Sequence, residues 1–367
     1  MVIAICRGSK ACLLRCALGL LWGVATPTIA SDFVEADVAS AYLKPQAQWP
    51  AAHPGAAEDV APVPLPVELD KYLVRLGEAL FHDPGLSADG SVSCASCHQA
   101  DIHFADDVKL SPGVEGRLGK RTTPMLRLVG LWDVLFWDAR IDTLEALVEH
   151  PLTDPLEMNN TVEAALTHVA EQAKYTDAFA RAYGDDAITW PRTAHAIAEF
   201  MRSIPSPKQP FDVFMQALGG EDFAQAAEVL SKQEREGLHL FRTKAGCVQC
   251  HNGALFSDQR LHNMGLTYYG RRFEDLGHYN ISGEPEDVGK FRTPSLRYLS
   301  ERNHLMHNGL FDDLLGIVRM YSHGGPRPKP RGEQVNDPLF PQTTDLLQPF
   351  DLSKEEEQAL LAFLRTL

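Results

Sequence analysis

Residues 94–98 have the sequence Cys-Ala-Ser-Cys-His, and residues 247–251 have the sequence Cys-Val-Gln-Cys-His. Two cysteines at this spacing can each form a thioether with a vinyl group of haem, and the histidine that follows can bind the iron. A pair of disulfides, or a redox or zinc site of the Cys-x-x-Cys type, is the alternative. Two copies in one chain favour two covalently bound haem c groups. The candidate attachment residues are Cys94, Cys97 and His98 in the first copy and Cys247, Cys250 and His251 in the second.

The N-terminus has the pattern of a secretory signal peptide. Arg7, Lys10 and Arg15 precede a short apolar stretch, and a small-residue cleavage pattern ends at Ala30. The stretch is too short for an ordinary transmembrane helix, and an uncleaved anchor is the alternative. Three of the seven cysteines lie in this segment, and the two haem motifs use the other four. We therefore predict a periplasmic protein without disulfides and without stable membrane insertion after signal cleavage.

The chain is acidic. Its formal charge is −15, and it falls to −18 when residues 1–30 are removed, with 31 basic against 49 acidic residues remaining. Such a surface is repelled by phosphate backbones and by anionic membranes. The charge therefore argues against nucleic acid as a partner and favours a protein with a neutral or basic surface.

Apolar spacing and capping patterns predict a mainly helical fold with long loops. One predicted helix stops at Pro151, and another begins at Asn160 and continues to Gly184. Ser231 and Ser353 each precede a glutamate by three residues, which is typical of a helix start. Convincing β-alternation is absent from the sequence.

The chain also repeats itself. Residues 77–81 and 237–241 share Gly-x-x-Leu-Phe, and residues 123–127 and 293–297 share Thr-Pro-x-Leu-Arg. The two copies are 160 residues apart before the haem motifs, 153 at them and 170 after them. Ordered matches of this kind predict two haem domains related by internal duplication. The predicted organisation is a signal peptide (1–30), an Ala/Pro-rich arm (31–66), an N-terminal haem domain (67–227) and a C-terminal haem domain (228–367).

The spacing of 170 pairs Tyr321 with Pro151, and Met320 with His150. Proline cannot bind iron, whereas a tyrosine phenolate is a good hard ligand for ferric iron. We therefore expect the first haem to be open to a small oxidant and the second to be closed by a protein ligand. As alternatives, Tyr321 and Met320 only pack against the porphyrin, or a helical shift of one residue brings His150 over the first iron.

From Tyr72 to Leu367 the sequence resembles the bacterial dihaem cytochrome c peroxidase superfamily, and within it the MauG-like (MbnH-type) branch. The resemblance implies two cytochrome c-like haem domains and a hydrogen-peroxide-dependent oxidoreductase. The matching stretches are residues 76–81, 93–98, 136–140 (Phe-Trp-Asp-Ala-Arg), 155–158 (Pro-Leu-Glu-Met), 290–297 and 306–309 (Met-His-Asn-Gly).

The resemblance also implies roles for single residues. The second haem would be bound by Tyr321, fourteen residues beyond the histidine of residues 306–309, with Met320 as the rival. Trp137 would lie between the haems and relay oxidising equivalents. Glu157 would lie over the open haem, near Pro151, and act as a general acid–base group. Arg140, Arg292 and Arg297 are the candidate partners of the haem propionates.

Some positions depart from the family pattern. Val114 replaces the distal histidine of the peroxidases, Leu147 replaces a glutamine of MauG, and Ala245 replaces the tryptophan by which oxidising equivalents leave MauG. The family's calcium ion is a further candidate cofactor. Its ligand positions are occupied here by Thr122, Arg302 and His304.

The function that the resemblance implies is oxidation of a tryptophan or tyrosine side chain of a periplasmic partner protein by hydrogen peroxide, through a high-valent Fe(IV) state of the two haems. One alternative is a cytochrome c peroxidase that reduces hydrogen peroxide with electrons from a small cytochrome c. A dihaem electron carrier with no chemistry of its own is the other.

Overall fold

The computed structural model describes residues 37–367, which form one compact unit of helices joined by long loops. Within this range twelve α-helices are present: α1 (Lys71–Phe81), α2 (Cys94–Cys97), α3 (Leu144–Thr153), α4 (Val162–Ala170), α5 (Ala173–Tyr183), α6 (Trp190–Ser203), α7 (Pro210–Gly219), α8 (Phe223–Val229), α9 (Lys232–Arg242), α10 (Tyr279–Ser282), α11 (Leu314–Ser322) and α12 (Lys354–Leu364). Strands β1 (Leu261–His262) and β2 (Phe291–Arg292) pair antiparallel. The mainly helical prediction is confirmed, and the predicted signal peptide lies outside the described residues.

Helices α1 and α6 cross at Gly77. A Cβ atom at this position would lie 1.8 Å from the carbonyl oxygen of Ala196 and 2.9 Å from Cβ of Phe200. Only glycine therefore allows the two backbones to approach this closely. Phe81 packs on Phe200 with ring centroids 4.9 Å apart. This crossing lies at the centre of the first hydrophobic core, which extends to Ile204.

The second core is built around the same kind of crossing, between α9 and α12. A Cβ atom at Gly237 would lie 2.0 Å from the carbonyl oxygen of Ala359 and 2.7 Å from Cβ of Phe363. Phe241 packs on Phe363 at 5.3 Å. The repeated Gly-x-x-Leu-Phe sequence thus forms equivalent helix crossings in the two halves, which confirms the predicted internal duplication.

Replacing Gly237 with alanine is expected to destabilise the holoprotein by about 1–3 kcal/mol, because the new methyl group overlaps backbone atoms of α12. Urea denaturation followed by circular dichroism measures the effect. Gly219→Ala in α7 is the matched control, since a Cβ atom there meets no atom within 4 Å. Equal stabilities of the two variants would contradict the close crossing.

The repeat continues after the haem motifs. Helix α3 begins at Leu144 and α11 at Leu314, and each follows a loop closed by a β-bridge, between residues 135 and 141 and between residues 305 and 311. Pro151 and Tyr321 are therefore each the eighth residue of equivalent helices. This is the pairing that the spacing of 170 predicts.

The described part of the Ala/Pro-rich arm packs against the second half. Tyr42 and Trp49 are buried in the second core. Arg242 of α9 donates from Nε to Asp59 at 2.7 Å and from Nη1 to the Tyr42 hydroxyl at 2.9 Å. The arm is thus held by an ion pair and by aromatic packing, while the proposed domain boundaries stay a prediction.

The prediction that a helix stops at Pro151 is wrong. Helix α3 continues to Thr153 with Pro151 inside it. Proline removes one helical hydrogen bond. Because Pro151 lies near the C-terminal end of α3, this loss is small enough for the helix to continue. The backbone N–H of Asp154 then donates to the carbonyl of His150 at 2.9 Å and closes the helix.

The single helix predicted from Asn160 to Gly184 is also wrong. It is divided into α4 and α5, and the N-cap of α4 is Thr161, whose hydroxyl accepts from the backbone N–H of Ala164. The Oδ1 of Asn160 instead accepts from the backbone N–H of Thr161 at 2.8 Å, and its Nδ2 donates to the carbonyl of Leu86 at 2.8 Å, so the side chain does not cap an amide of the first turn. The capping boxes predicted at Ser231 and Ser353 are confirmed. No helix within residues 37–367 is both long and apolar enough to cross a bilayer.

Candidate dihaem site

The two motif histidines are oriented in the same way. Nδ1 of His98 donates to the carbonyl of Phe104 at 3.1 Å, and Nδ1 of His251 donates to the carbonyl of Phe256 at 2.9 Å. Each hydrogen bond places the ring proton on Nδ1 and leaves Nε2 free to bind a metal. Burial lowers the pKa of His98 to about 4 and also lowers the pKa of His251. Both rings are therefore in the neutral form that binds iron.

The motif cysteines are free and partly buried, and within residues 37–367 none forms a disulfide. Burial raises the pKa of the Cys94 thiol to about 12 and that of Cys97 to about 11. A reactive thiolate of the kind found at redox sites needs a lowered pKa. The redox alternative therefore receives no support from this environment.

In the part of the chain that the structure describes, one cluster has the side chains of a metal site. Its members are Cys250, Asp258 and His262, whose donor atoms lie within 4.8 Å of one another. Nε2 of His262 donates to Asp258 at 2.7 Å. Burial opposes protonation, but the Asp258 carboxylate and Cys250 raise the pKa of His262 to about 9. Cys250 is also one of the motif cysteines, so its thiol can form a haem thioether or bind zinc, but not both.

His251 and Tyr321 line the same cavity, which has a volume of about 320 Å³. A smaller space of about 50 Å³ shares His251 and Tyr321 with it. Cavities that hold cofactors typically have volumes of about 300–1,000 Å³. Among the described residues that line the two spaces, Met320 is absent. The phenol rather than the neighbouring thioether therefore faces the motif histidine.

Met264 is a residue that the sequence analysis missed. It lines both spaces together with His251 and Tyr321, so a thioether sulfur is present in the second cavity after all. The sequence signal was its position shortly after the second haem motif, in a loop with no obvious counterpart in the first half. Met264 replaces Met320 as the sulfur ligand that competes with Tyr321.

Two buried polar atoms in the smaller space have no hydrogen-bond partner within residues 37–367. They are Nη1 of Arg292 and Nε2 of His307. Burial lowers the pKa of Arg292 to about 9. Buried donors of this kind require an acceptor, and a guanidinium favours an anion. Haem carries two propionates, so the residues of this cavity fit the cofactor that the motifs predict.

Arg297 is partly engaged by other protein groups, and its role as a propionate partner stays a prediction. Its Nη1 lies 3.0 Å from Asp212 without forming a hydrogen bond, and Nε and Nη2 donate to the carbonyls of Ala254 and Ala61 at 2.8 Å each. The guanidinium therefore bridges the second motif loop, the arm and α7. These contacts require residues distant in sequence, which the local motif could not reveal.

Arg140 lies on the side of the first haem motif. Its Nη1 contacts both carboxylate oxygens of Asp138 at 2.8 Å, and its guanidinium lies 3.5 Å from the ring centroid of Phe136. Burial, reinforced by the positive charge of Arg140, lowers the pKa of the half-buried His150, and the same charge acts on Glu157. Arg140 thus contributes positive charge near the expected open face, although Asp138 already neutralises part of it.

Glu157 and Pro151 are tied together beside the first motif. The N–H of Met158 donates to the carbonyl of Pro151 at 3.1 Å, and the N–H of Val114 donates to the carbonyl of Glu157 at 2.8 Å. Burial, reinforced by Asp154, raises the pKa of Glu157 to about 7. The charge of Glu157 in turn acts on the motif cysteines. A carboxyl group with this pKa can accept and donate a proton near neutrality.

The two other positions where the family carries polar side chains near the open haem are apolar here. Val114 is 2% exposed within the first core, and Leu147 packs against that core. His150 packs on Phe136 with ring centroids 5.4 Å apart. Glu157 and His150 are therefore the titratable side chains near this face that make no side-chain hydrogen bond among the described residues, and the raised pKa of Glu157 suits it better to proton transfer near neutrality.

Trp137 belongs to the first half of the chain but lines the smaller space of the second cavity. Its Nε1 donates to the carbonyl of Thr122 at 3.0 Å, and its carbonyl accepts from the N–H of Arg292 at 2.8 Å. Its ring centroid is 6.3 Å from that of His307, the residue 170 positions later. The indole therefore lies at the junction of the two halves.

The three candidate calcium positions offer few oxygen ligands. The Thr122 hydroxyl donates to the carbonyl of Met306 at 3.0 Å, and the Thr122 carbonyl already accepts from Trp137. The half-buried Arg302 guanidinium donates to the carbonyl of Thr123 at 3.0 Å and adds a positive charge. Calcium also takes backbone carbonyl oxygens as ligands, and those of Arg302 and His304 are the donors that the resemblance implies. A calcium ion at Thr122, Arg302 and His304 therefore stays a prediction.

Comparison with known proteins agrees with this geometry. A family model described as Di-haem cytochrome c peroxidase matches residues 71–219. Cytochrome-c peroxidase IdrP1 of Pseudomonas sp. (strain SCT) is 32% identical, covering 86% of this chain and 86% of that protein. Methylamine utilization protein MauG of Methylorubrum extorquens is 33% identical, covering 80% of this chain and 77% of that protein.

A solved structure gives the same result. The crystal structure of a MauG-like protein associated with microbial copper homeostasis superposes with a TM-score of 0.70 at 29% identity, covering 84% of this chain and 93% of that chain. The chain therefore belongs to the dihaem cytochrome c peroxidase superfamily and to its MauG-like branch, and it is a peroxide-dependent dihaem oxidoreductase.

Proposed function

We propose that this protein uses hydrogen peroxide to oxidise a tryptophan or tyrosine side chain of a partner protein. The observation that supports it is that two equivalent helix positions carry different side chains, of which only one can bind iron. Tyr321 in α11 faces His251 across the second cavity, whereas Pro151 in α3 cannot bind a metal and is tied to the segment that carries Glu157. One iron would be open to peroxide and the other closed by a phenolate.

The four motif cysteines, Cys94, Cys97, Cys247 and Cys250, would hold two haem c groups through thioethers, and His98 and His251 would bind the two irons. Arg292 and His307 would bind a propionate of the second haem, which supplies the acceptor that their buried atoms need. The haems supply the redox chemistry, and the protein supplies proton transfer, positioning and the path between the two sites.

At the first site Glu157 would take the proton of bound peroxide and return it to the departing oxygen. Its raised pKa lets one residue perform both steps near neutral pH. Val114 and Leu147 are apolar, and His150, in the same helix as Pro151, packs on Phe136. Reduction of peroxide to water then leaves two oxidising equivalents on the protein.

Trp137 would relay one of these equivalents to the second site. Its indole lines the second cavity although its chain belongs to the first half. A phenolate ligand favours higher oxidation states of iron, so Tyr321 would let the second site hold an oxidising equivalent until the partner is bound. We place this reaction in the periplasm, because residues 1–30 resemble a signal peptide and haem c fits an exported protein.

The alternative is a peroxidase that takes electrons from a small cytochrome c, and Met264 is the observation that favours it. If its sulfur rather than Tyr321 binds the second iron, the potential of that site rises and suits electron acceptance.

Addition of one equivalent of hydrogen peroxide to the fully ferric holoprotein distinguishes the two functions. We expect a long-lived species, two oxidising equivalents above the resting state, visible in the Soret region and by loss of both ferric EPR signals. Steady oxidation of a reduced small cytochrome c, without such a species, would contradict the proposal and support the peroxidase.

A further inference from the structure

The loop that carries Trp132 is fixed across the junction of the two halves. The backbone N–H of Asp133 donates to Oε1 of Gln259 at 2.6 Å, and Nε2 of Gln259 donates back to the Asp133 carboxylate at 3.1 Å. Gln259 lies in the loop between the second haem motif and β1. Trp132, which belongs to the first half of the sequence, is thereby held against the second half.

The indole of Trp132 contacts the wall of the second cavity. The guanidinium carbon of Arg292 lies 3.4 Å from the indole ring centroid, and Arg292 lines the cavity beside His251 and Trp137. The Trp132 side chain is partly exposed to solvent and also packs against the first core. A single arginine side chain therefore separates a surface tryptophan from the space that fits the second haem.

The cavity itself offers no surface route for oxidising equivalents. Among the described residues that line it, the tryptophan and tyrosine side chains are Trp137 and Tyr321. Ala245 lines the larger space at the position where MauG has its exit tryptophan, and a methyl group cannot be oxidised in this way. A protein substrate is too large to enter the cavity, so an oxidisable side chain must connect the cavity with the surface.

We propose that Trp132 is this connection, and that the partner protein docks over the loop of residues 131–133 beside Gln259. The inference rests on the proposed function, and it adds where the partner binds. The partner would present a tryptophan or tyrosine to the exposed side of the Trp132 indole. The acidic net charge of the chain favours a partner with a neutral or basic surface there.

The electrostatics of the site permit this role. A lone guanidinium over the ring would oppose a positive charge on Trp132. The unpartnered Nη1 of Arg292 fits a haem propionate, which would neutralise that charge. Nε1 of Trp132 makes no hydrogen bond to any residue from 37 to 367, so its proton can pass to solvent when the ring loses an electron.

The electrons and protons balance. Reduction of one hydrogen peroxide to two waters takes two electrons and two protons. In each of two steps Trp132 gives one electron to the second site and its N–H proton to solvent, and then regains an electron and a proton from the partner side chain. The partner loses two electrons and two protons in total, which returns the protein to its resting state.

Peptide mass spectrometry of the holoprotein after repeated addition of hydrogen peroxide, without a partner, tests this role. An exit residue with no electron donor is oxidised itself, so we expect oxygen addition at Trp132 in the wild-type protein. Trp190 serves as the internal control, because it is partly exposed and packs against the first core as Trp132 does, but its indole donates to Glu149 at 3.0 Å and does not lie over Arg292. This measurement needs no variant and therefore does not depend on the folding of one.

The lifetime of the peroxide-generated species is the second readout. We expect it to lengthen in Trp132→Phe and to remain unchanged in Trp190→Phe. Equal lifetimes, with oxygen added at residues other than Trp132, would overturn this inference and leave the proposed function intact. Failure of the wild-type holoprotein to form the species would instead reject the proposed function, and this inference with it.

Discussion

Replacing Glu157 with glutamine is expected to slow the reaction of the holoprotein with hydrogen peroxide by about 10²–10⁴-fold, which is the usual contribution of a positioned general acid–base group. Glutamine keeps the size and the backbone contacts to Val114 but cannot carry a proton between the two peroxide oxygens. Stopped-flow absorption in the Soret region measures the rate constant.

The pH dependence gives the same prediction a second readout. Burial, reinforced by Asp154, raises the pKa of Glu157 to about 7. The carboxylate, which accepts the peroxide proton, predominates above that pH. The rate constant should therefore rise through pH 7 and level off above it, whereas the glutamine variant should show no such inflection.

Glu163→Gln is the matched control, since Glu163 is an exposed glutamate in the first turn of α4. It should react at the wild-type rate. A wild-type rate in Glu157→Gln would remove Glu157 from the chemistry and leave the open face without an assigned proton carrier.

Trp137→Phe is expected to separate the two sites. Phenylalanine retains most of the packing against His307 but loses the hydrogen bond to Thr122 and the readily oxidised indole. Peroxide should still react at the first site, because Glu157 and Pro151 are unchanged. The oxidising equivalent should not reach the second site, and the EPR signal of the second ferric haem should persist after peroxide is added.

Trp190→Phe is the control for this experiment, because it removes an indole of the first core that lies outside the second cavity. Its behaviour should match that of the wild type. Loss of both ferric signals in Trp137→Phe, at the wild-type rate, would show that another path joins the sites.

Much of the fold could be predicted because the signals were local or repeated. The Ser231 and Ser353 capping boxes use hydrogen bonds within one turn, so the sequence alone identifies them. The late spacing of 170 placed Pro151 and Tyr321 at equivalent helix positions without a structure. The end of α3 was predicted wrongly, because the cost of a proline depends on how near it lies to the end of the helix.

The site was less predictable where contacts join distant parts of the chain. Arg297 and Asp212 are 85 positions apart, and no local pattern indicated that this ion pair would occupy the arginine. Unlike Arg297, Arg292 has no carboxylate within ion-pair distance among residues 37–367. No local pattern indicated Met264 or Trp132 either. Both acquire a role only because loops from the two halves meet at the second cavity.

The inequality of the two haem sites is tested most directly by EPR spectroscopy of the resting ferric holoprotein, compared with Tyr321→Phe and Met264→Leu. We expect one high-spin haem at the open site and one low-spin haem at the closed site. The low-spin signal should be lost or changed in Tyr321→Phe and retained in Met264→Leu. An unchanged signal in Tyr321→Phe, with its loss in Met264→Leu, would contradict phenolate ligation and favour the cytochrome c peroxidase.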